Sequence, residues 1–159
     1  MDQEWVFIDG SYIRVHQHAS GARNGFERAI GQSRGGRTTK IHLATDANGL
    51  PIDFKITGGG VHDSQVAPQI RESARKHGMI PVISRKSNST KSNPELSRYL
   101  YGLGHVVENT FARLKYFRGI AMRFDKLAHN YKPMRDWPVS VFGVRLNTDA
   151  GLRVSDLKY

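Results

Sequence analysis

Two carboxylates, Asp9 and Glu108, are the residues best suited to chemistry in this sequence. Asp9 lies inside an apolar, β-forming run at residues 5–14, and Glu108 lies on an amphipathic basic stretch at residues 106–115. One carboxylate in a strand and another on a late helix can assemble a divalent-metal site for phosphoryl transfer. Two Mg²⁺ ions about 4 Å apart then stabilise the attacking and leaving oxygens, and a third acid normally completes the ligands. The residues alone leave simpler roles open, since Asp9 could bond to a turn and Glu108 could be a solvated helix residue.

The first half of the chain has the hydrophobic alternation of β-strands. Residues 5–16 predict a strand, and residues 39–45 and 51–57 predict an antiparallel hairpin around the turn at residues 46–49. The alternation places three apolar residues on one face of its second strand: Ile52, Phe54 and Ile56. Residues 17–37 are rich in glycine, serine and arginine and predict a flexible basic loop.

The second half predicts helices around one short strand. A helix capped by Asp63 or Ser64 should be short, because Pro68 lies inside it, and residues 69–78 look helical again. Residues 79–83 predict a strand and residues 84–94 a basic loop. Residues 95–128 form the longest helical region, with Gly102 and Gly104 dividing it, Gly119 as a break, and an apolar stripe of Val107, Phe111, Leu114, Ile120, Phe124 and Leu127. This order of elements predicts a mixed α/β sheet with helices packed on it.

Length, net charge and cysteine content limit the classes of protein to which this sequence can belong. The 159 residues suffice for one domain with a core, and their net charge of +10 favours an anionic partner, of which nucleic acid is the obvious one. The chain has no cysteine, which excludes disulfides and thiolate zinc sites. No apolar run approaches a membrane span and the N-terminus is not a signal peptide, so we expect no membrane partner and a cytoplasmic location.

Basic and aromatic side chains supply candidate DNA contacts. The basic candidates for neutralising phosphates are Arg34, Arg37, Lys40, Arg113, Lys115, Arg118, Arg123 and Lys126. A solvated face and loop would explain the same residues. Tyr116, Phe117 and Trp137 could stack on bases, although core packing also suits Phe117. Four histidines, His16, His18, His42 and His62, fit no compact metal motif and are interpreted as structural or DNA-facing.

The sequence resembles insertion-sequence transposases of the DDE type, a bacterial mobile-element family, in the branch named after insertion sequence five. Five blocks occur in the family's order: residues 8–18, 31–42, 61–64, 80–83, and 107–115 continued by 123–128. The resemblance implies a ribonuclease-H-like core, with Asp9 and Glu108 as catalytic metal ligands. It also implies Mg²⁺ or Mn²⁺ as cofactor, transposon terminal inverted repeats as DNA substrate, and a possible homo-oligomer.

The family's block with the second catalytic Asp is missing here. Residues 62–70 run straight into 71–78, so the strand that carries that Asp should be lacking and the fold destabilised, unless residues 80–83 take its place. Asp46, Asp53 and Asp63 are the available substitutes, with a turn, a solvated strand position and a helix cap as their simpler roles. We expect a partial catalytic domain at residues 1–132 and a divergent tail at 133–159.

Three functions follow from this pattern. The first is a truncated or inactive transposase that still binds DNA, derived from an enzyme that cuts and joins transposon ends. The second is a nucleic-acid-binding regulator without catalysis. The third is an active nuclease that recruits a substitute acid.

Overall fold

The computed structural model describes residues 5–21, 29–76, 78–83, 104–128 and Tyr131. It has the mixed α/β architecture that the sequence predicts. Its strands are β1 (Trp5–Val15), β2 (Gly31–Ser33), β3 (Gly36–Thr45), β4 (Pro51–Gly58), β5 (Ile80–Ile83) and β6 (Met122–Arg123). Its helices are a 3₁₀ turn (Gln17–Gly21), α1 (Asp63–Lys76), α2 (His105–Lys115) and α3 (Arg118–Ala121). Among the described residues, no helix is long and apolar enough to cross a membrane.

The strands form one mixed sheet centred on β1 and β3. These two strands pair antiparallel, with Asp9 opposite Leu43 and Gly10 opposite His42. The outer edge of β3 pairs antiparallel with β2 and then β4. The outer edge of β1 pairs parallel with β5 at its start and with β6 at its end. Pro81 lies in β5, which suits a strand that pairs on one side, because proline has no N–H for a second ladder.

The alternation of β1 divides the core into two layers. Phe7 and Ile13 pack with the α2 residues Val107, Phe111 and Leu114 on one face of the sheet. On the other face, α1 buries three side chains at helical spacing, Val66, Ile70 and Ala74, against Val6, Ile8 and Ala44. Successive strand residues point to opposite faces, so Asp9 projects on the α2 side and the Gly10 position on the α1 side.

Helix α1 is longer than the sequence predicts. It runs through Pro68 without ending there. Pro68 is exposed, so water can satisfy the carbonyl that the missing N–H leaves free, and burial of the apolar side of the helix offsets the lost hydrogen bond.

Two details of the β-structure also differ from the prediction. The basic loop expected at residues 17–37 contains the 3₁₀ turn and β2, and Gly36, at φ 91°, closes the β2–β3 hairpin. The β3–β4 hairpin forms with its predicted turn, but a bulge at Ala44 and Thr45 shifts the register. Ile52 therefore packs with the α1 layer while Phe54 and Ile56 pack with the α2 layer.

The late helical region is shorter than predicted. Helix α2 ends at Lys115, before Gly119, and Gly119 lies within α3. Phe124, placed on the apolar stripe by its spacing, follows α3 and is 51% exposed. The expected loop at residues 84–94, the division at Gly102 and the tail at 133–159 lie outside the described residues.

Candidate functional site

Asp9 lies in the middle of the central strand. Its side chain is half-buried and projects toward the layer that holds α2. Its cross-strand neighbour Leu43 is fully buried. An apolar strand therefore presents one carboxylate from a rigid backbone, which is the placement that the sequence predicts.

Glu108 is carried by α2, the helix that packs over the same face. Val107 and Phe111 anchor the helix on the sheet, while Glu108 itself is exposed. Thr110, midway along the helix, ties it to the hairpin turn: its hydroxyl donates to the Gly49 carbonyl at 2.9 Å, across 61 positions of sequence. The hairpin turn and the helix are thus joined two residues from Glu108.

The two carboxylates interact electrostatically. Burial raises the pKa of Asp9 above its ordinary 3.8, and the negative charges of Asp63 and Glu108 raise it further. The Gly10 backbone N–H and the charge of Lys40 act in the opposite direction. The ionised form of Asp9 is therefore disfavoured by its surroundings, as expected for a carboxylate whose negative charge a bound cation would neutralise.

The donors at this position suit a hard divalent cation, but they are few. Carboxylate oxygens are the ligands that Mg²⁺ and Mn²⁺ prefer. Asp9 and Glu108 can supply two such groups. Within the described part of the chain, no group of three or more His, Cys, Asp or Glu side chains is arranged to hold a metal ion.

Asp63 does not join Asp9 and Glu108 on their face of the sheet. It begins α1 on the opposite face, where its Oδ2 accepts from Lys40 Nζ at 2.8 Å and its Oδ1 lies 3.0 Å from His42 Nδ1. The bond to His42, followed by the bond to Lys40 and the charges of both, lowers the pKa of Asp63 to about 2. Both oxygens already have side-chain partners, which argues against Asp63 as a substitute metal ligand.

The other two substitute acids also have local partners. Asp46 lies in the hairpin turn, as predicted, and its Oδ1 accepts from the backbone N–H groups of Asn48 and Leu50 at 2.9 and 2.8 Å. Asp53 Oδ1 accepts from the Phe54 N–H at 2.8 Å. Asp53 pairs with Ala44, on the α1 side of the sheet and away from Asp9.

Six of the eight predicted phosphate-binding residues are exposed: Arg34, Arg37, Arg113, Lys115, Arg118 and Lys126. Arg34 and Arg37 lie at the β2–β3 hairpin, and the others lie on or after α2. Lys40 and Arg123 are different, since they are only 4% and 0% exposed. Their burial removes both from any DNA-binding surface.

Arg123 is a structural arginine at the end of the sheet. Its guanidinium donates to the Thr39 hydroxyl at 2.7 Å and to the carbonyls of Asp125 and Ala29 at 2.9 and 3.2 Å. The sequence placed it among the phosphate contacts because of its positive charge. Its partners come from three separate segments, so no local pattern could have indicated this role.

Aromatic rings gather beside the end of β1. His16 lies 4.6 Å from His18 and 4.8 Å from Phe124 between ring centroids. Tyr116 and Phe117 are 87% and 42% exposed, so both are available at the surface, whereas Trp137 lies outside the described residues. His42 is buried and bonded to Thr57 Oγ1 at 2.8 Å, which makes it structural.

Comparison with known families decides the class of protein. Residues 2–86 match the family described as the transposase DDE domain, and this segment is more than half of the 159-residue chain. The chain belongs to the transposase DDE domain family. The matched segment includes Asp9, β1 to β5 and α1, and it ends before α2 and Glu108.

Relatives of this transposase-family chain carry consistent names. It is 29% identical over 122 residues to the transposase named for insertion sequence element IS402 of Burkholderia cepacia, covering 57% of this chain and 55% of that relative. It is 29% identical over 110 residues to the transposase named for insertion sequence element IS6501 of Brucella ovis, covering 56% and 85%. The chain thus spans about half the length of the first relative. No solved structure matches the chain.

The family membership agrees with several expectations. The resemblance to DDE insertion-sequence transposases is confirmed at the level of the family. The mixed sheet with a few helices is compatible with a ribonuclease-H-like core. Transposase DDE domains generally use divalent metal ions and act on DNA, which matches the carboxylate donors and the positive charge of this chain.

Proposed function

We propose that this chain is a DNA-binding transposase remnant that holds one divalent cation between Asp9 and Glu108. The observation that carries the proposal is that the negative charge of Glu108, which lies on a helix far from Asp9 in sequence, contributes to the raised pKa of Asp9. A Mg²⁺ or Mn²⁺ ion bound there would stabilise negative charge on the oxygens of a scissile phosphodiester. The residues themselves supply the oxygen ligands and a rigid sheet to hold them.

In the part of the chain that the structure describes, no third acid joins Asp9 and Glu108, which supports weak or absent cleavage. Strand β5 lies directly beside β1 and parallel to it, and its sequence is Ile-Pro-Val-Ile. The connection from α1 to β5 is short, because α1 ends at Lys76 and β5 begins at Ile80. We infer that β5 takes the place of the strand that carries the second Asp in the family. The sheet then stays continuous while a metal ligand is lost.

DNA binding is assigned to the six exposed basic residues named above. Two of these residues, Arg34 and Arg37, lie at the β2–β3 hairpin. The other four lie between α2 and residue 126: Arg113, Lys115, Arg118 and Lys126. Contacts of this kind neutralise phosphates and position DNA more than they read its sequence. Terminal inverted repeats of a transposon are the proposed DNA, and a homo-oligomer is compatible with paired ends.

A regulator that binds ends without cutting is the second candidate, because Asp63, Asp46 and Asp53 all have other partners. The test is to incubate labelled duplex DNA, with and without terminal repeats, with the protein and Mn²⁺. The remnant should bind the DNA and cleave it weakly or not at all. Any cleavage should disappear in Asp9→Ala, and binding should survive that change. Efficient cleavage that persists in Asp9→Ala would contradict the assigned metal site, and loss of binding to both duplexes would contradict the DNA-binding role.

A further inference from the structure

The polar network around Asp63 lies directly behind the backbone that carries Asp9. Gly10 follows Asp9 in β1 and faces the α1 side, where Asp63, Lys40 and His42 meet. A Cβ atom added at Gly10 would lie 2.5 Å from Asp63 Oδ1 and 2.7 Å from Lys40 Cε. The network therefore packs against the strand backbone itself, and any larger residue at this position would force the Asp63 and Lys40 side chains to shift.

The network joins three strands and a helix. Lys40 and His42 come from β3, and Asp63 from the first turn of α1. His42 Nε2 continues the chain of bonds to Thr57 Oγ1 on β4, and Lys40 Nζ lies 4.8 Å from the centre of the Tyr12 ring on β1. The strand segment next to Asp9 is thus contacted on its α1 side by groups from β3 and α1.

Stability alone does not explain this arrangement. The side chains of Lys40 and His42 are 5% and 2% exposed, so their polar groups are costly to desolvate, while the Asp63 side chain is 59% exposed. A partly exposed ion pair contributes little to stability, and apolar residues commonly replace buried cations without loss. The charge of Lys40 acts on Asp9 from the other face of the sheet, and Asp63 is the anion paired with Lys40.

We propose that Asp63 is a positioning residue for the metal ligand Asp9, because it locks the Gly10 backbone and neutralises Lys40, whose charge would otherwise repel a divalent cation. The inference rests on the proposed metal site. It assigns to Asp63 a role that a helix cap does not require. A cap needs only a short side chain with an acceptor oxygen, which asparagine supplies as well as aspartate does.

The test compares Asp63→Asn with Asp63→Glu in the full chain, with Mn²⁺ affinity read from the electron paramagnetic resonance signal of free Mn²⁺. Asp63→Asn keeps the size and removes the charge, so it should bind Mn²⁺ about tenfold more weakly. Asp63→Glu keeps the charge and should recover part of that loss. Both changes fall on an exposed position at the start of a helix, so the fold should survive, and thermal unfolding checks this.

Glu72→Gln is the matched control, because it removes the exposed Glu72–Lys76 ion pair, 2.9 Å long, from the same helix. Its Mn²⁺ affinity should equal that of the unsubstituted chain. The proposal fails if Asp63→Asn binds Mn²⁺ as tightly as this control, or if Asp63→Glu is the weaker of the two, which is the order that a cap predicts. If the unsubstituted chain itself binds no Mn²⁺, the proposed metal site fails, and this inference fails with it.

Discussion

Asp9 is a partly buried carboxylate whose ionised form is disfavoured by burial and by two neighbouring carboxylates. Its pKa in the folded chain therefore lies above the ordinary 3.8 of the unfolded chain. An acid whose pKa is raised by folding stabilises the folded state when it is protonated. This stabilisation is complete below pH 3.8, the pKa in the unfolded chain, and is lost as the pH rises through the higher pKa of the folded chain. Near neutral pH without metal, the charge of Asp9 consequently lowers the free energy of unfolding.

This sign gives a prediction for Asp9→Asn. In EDTA near neutral pH the variant should unfold at a higher urea concentration than the unsubstituted chain, because a neutral amide replaces the disfavoured charge. The difference should vanish as the pH falls below about 3.8, the ordinary pKa. Added Mn²⁺ should stabilise the unsubstituted chain and have little effect on the variant. A variant that is less stable in EDTA near neutral pH would show that the charge of Asp9 is satisfied within the fold.

At the scale of elements, α2 is attached to the hairpin turn through one hydroxyl. Thr110 Oγ1 lies 2.9 Å from the carbonyl oxygen of Gly49, a residue with φ 82°, and 3.1 Å from that of Val106, so its one proton is shared between the two acceptors. Thr110→Val keeps the shape and removes the hydroxyl, so it should lower the free energy of unfolding by about 1 kcal/mol. It should also weaken Mn²⁺ binding, because Glu108 is two residues away on the same helix.

Thr45→Val is the control for this prediction. Thr45 Oγ1 is buried and, in the part of the chain that the structure describes, makes no hydrogen bond. Removing that hydroxyl should therefore leave stability unchanged or raise it. Equal losses for the two variants in urea unfolding would mean that the Thr110–Gly49 bond does not hold the helix in place.

The elements that could be predicted from sequence are those with local signals. Alternation and the turn at residues 46–49 gave the β3–β4 hairpin, and the apolar spacing of Val107, Phe111 and Leu114 gave α2. The bulge that turns Ile52 to the other face could not be predicted, because it depends on pairing with β3. Nor could the continuation of α1 through Pro68, since burial against β1 outweighs local propensity there.

For the candidate site, sequence reasoning placed Asp9 on a strand and Glu108 on a helix, as the structure has them. It did not separate buried from exposed cations. Lys40 is buried because Asp63 from a helix 23 residues away pairs with it, and Arg123 because Thr39 and Ala29 accept its hydrogen bonds. Contacts between residues so far apart in the chain produce no periodic pattern in the sequence, so they could not be predicted from it.

At the scale of the whole molecule, we expect the net charge of +10 to be the main source of the proposed affinity for DNA. We expect the logarithm of the binding constant to fall linearly with the logarithm of salt concentration, with a slope of about −0.9 per neutralised phosphate. Arg118→Gln should make this slope shallower by about 1 and leave stability unchanged, because Arg118 is exposed.

Arg123→Met provides the contrast, since it removes a buried guanidinium and leaves several oxygens without a donor. It should lower the free energy of unfolding by about 2–3 kcal/mol. At temperatures where the variant remains folded, its salt slope should equal that of the unsubstituted chain. A shallower slope for Arg123→Met, or an unchanged slope for Arg118→Gln, measured by fluorescence anisotropy of labelled duplex DNA, would contradict the division into buried and exposed cations.

The measurement that bears most directly on the proposed metal site is a double-mutant cycle of Mn²⁺ binding with Asp9→Asn, Glu108→Gln and the two combined. If both carboxylates bind one ion, removing either one already loses the contribution that they make together. The double variant should then bind Mn²⁺ only slightly more weakly than whichever single variant has the lower affinity. Asp53→Asn, which alters a carboxylate on the opposite side of the sheet, should leave the affinity unchanged. Independent, additive losses for Asp9 and Glu108, or no loss at either, would mean that the two carboxylates do not share a cation.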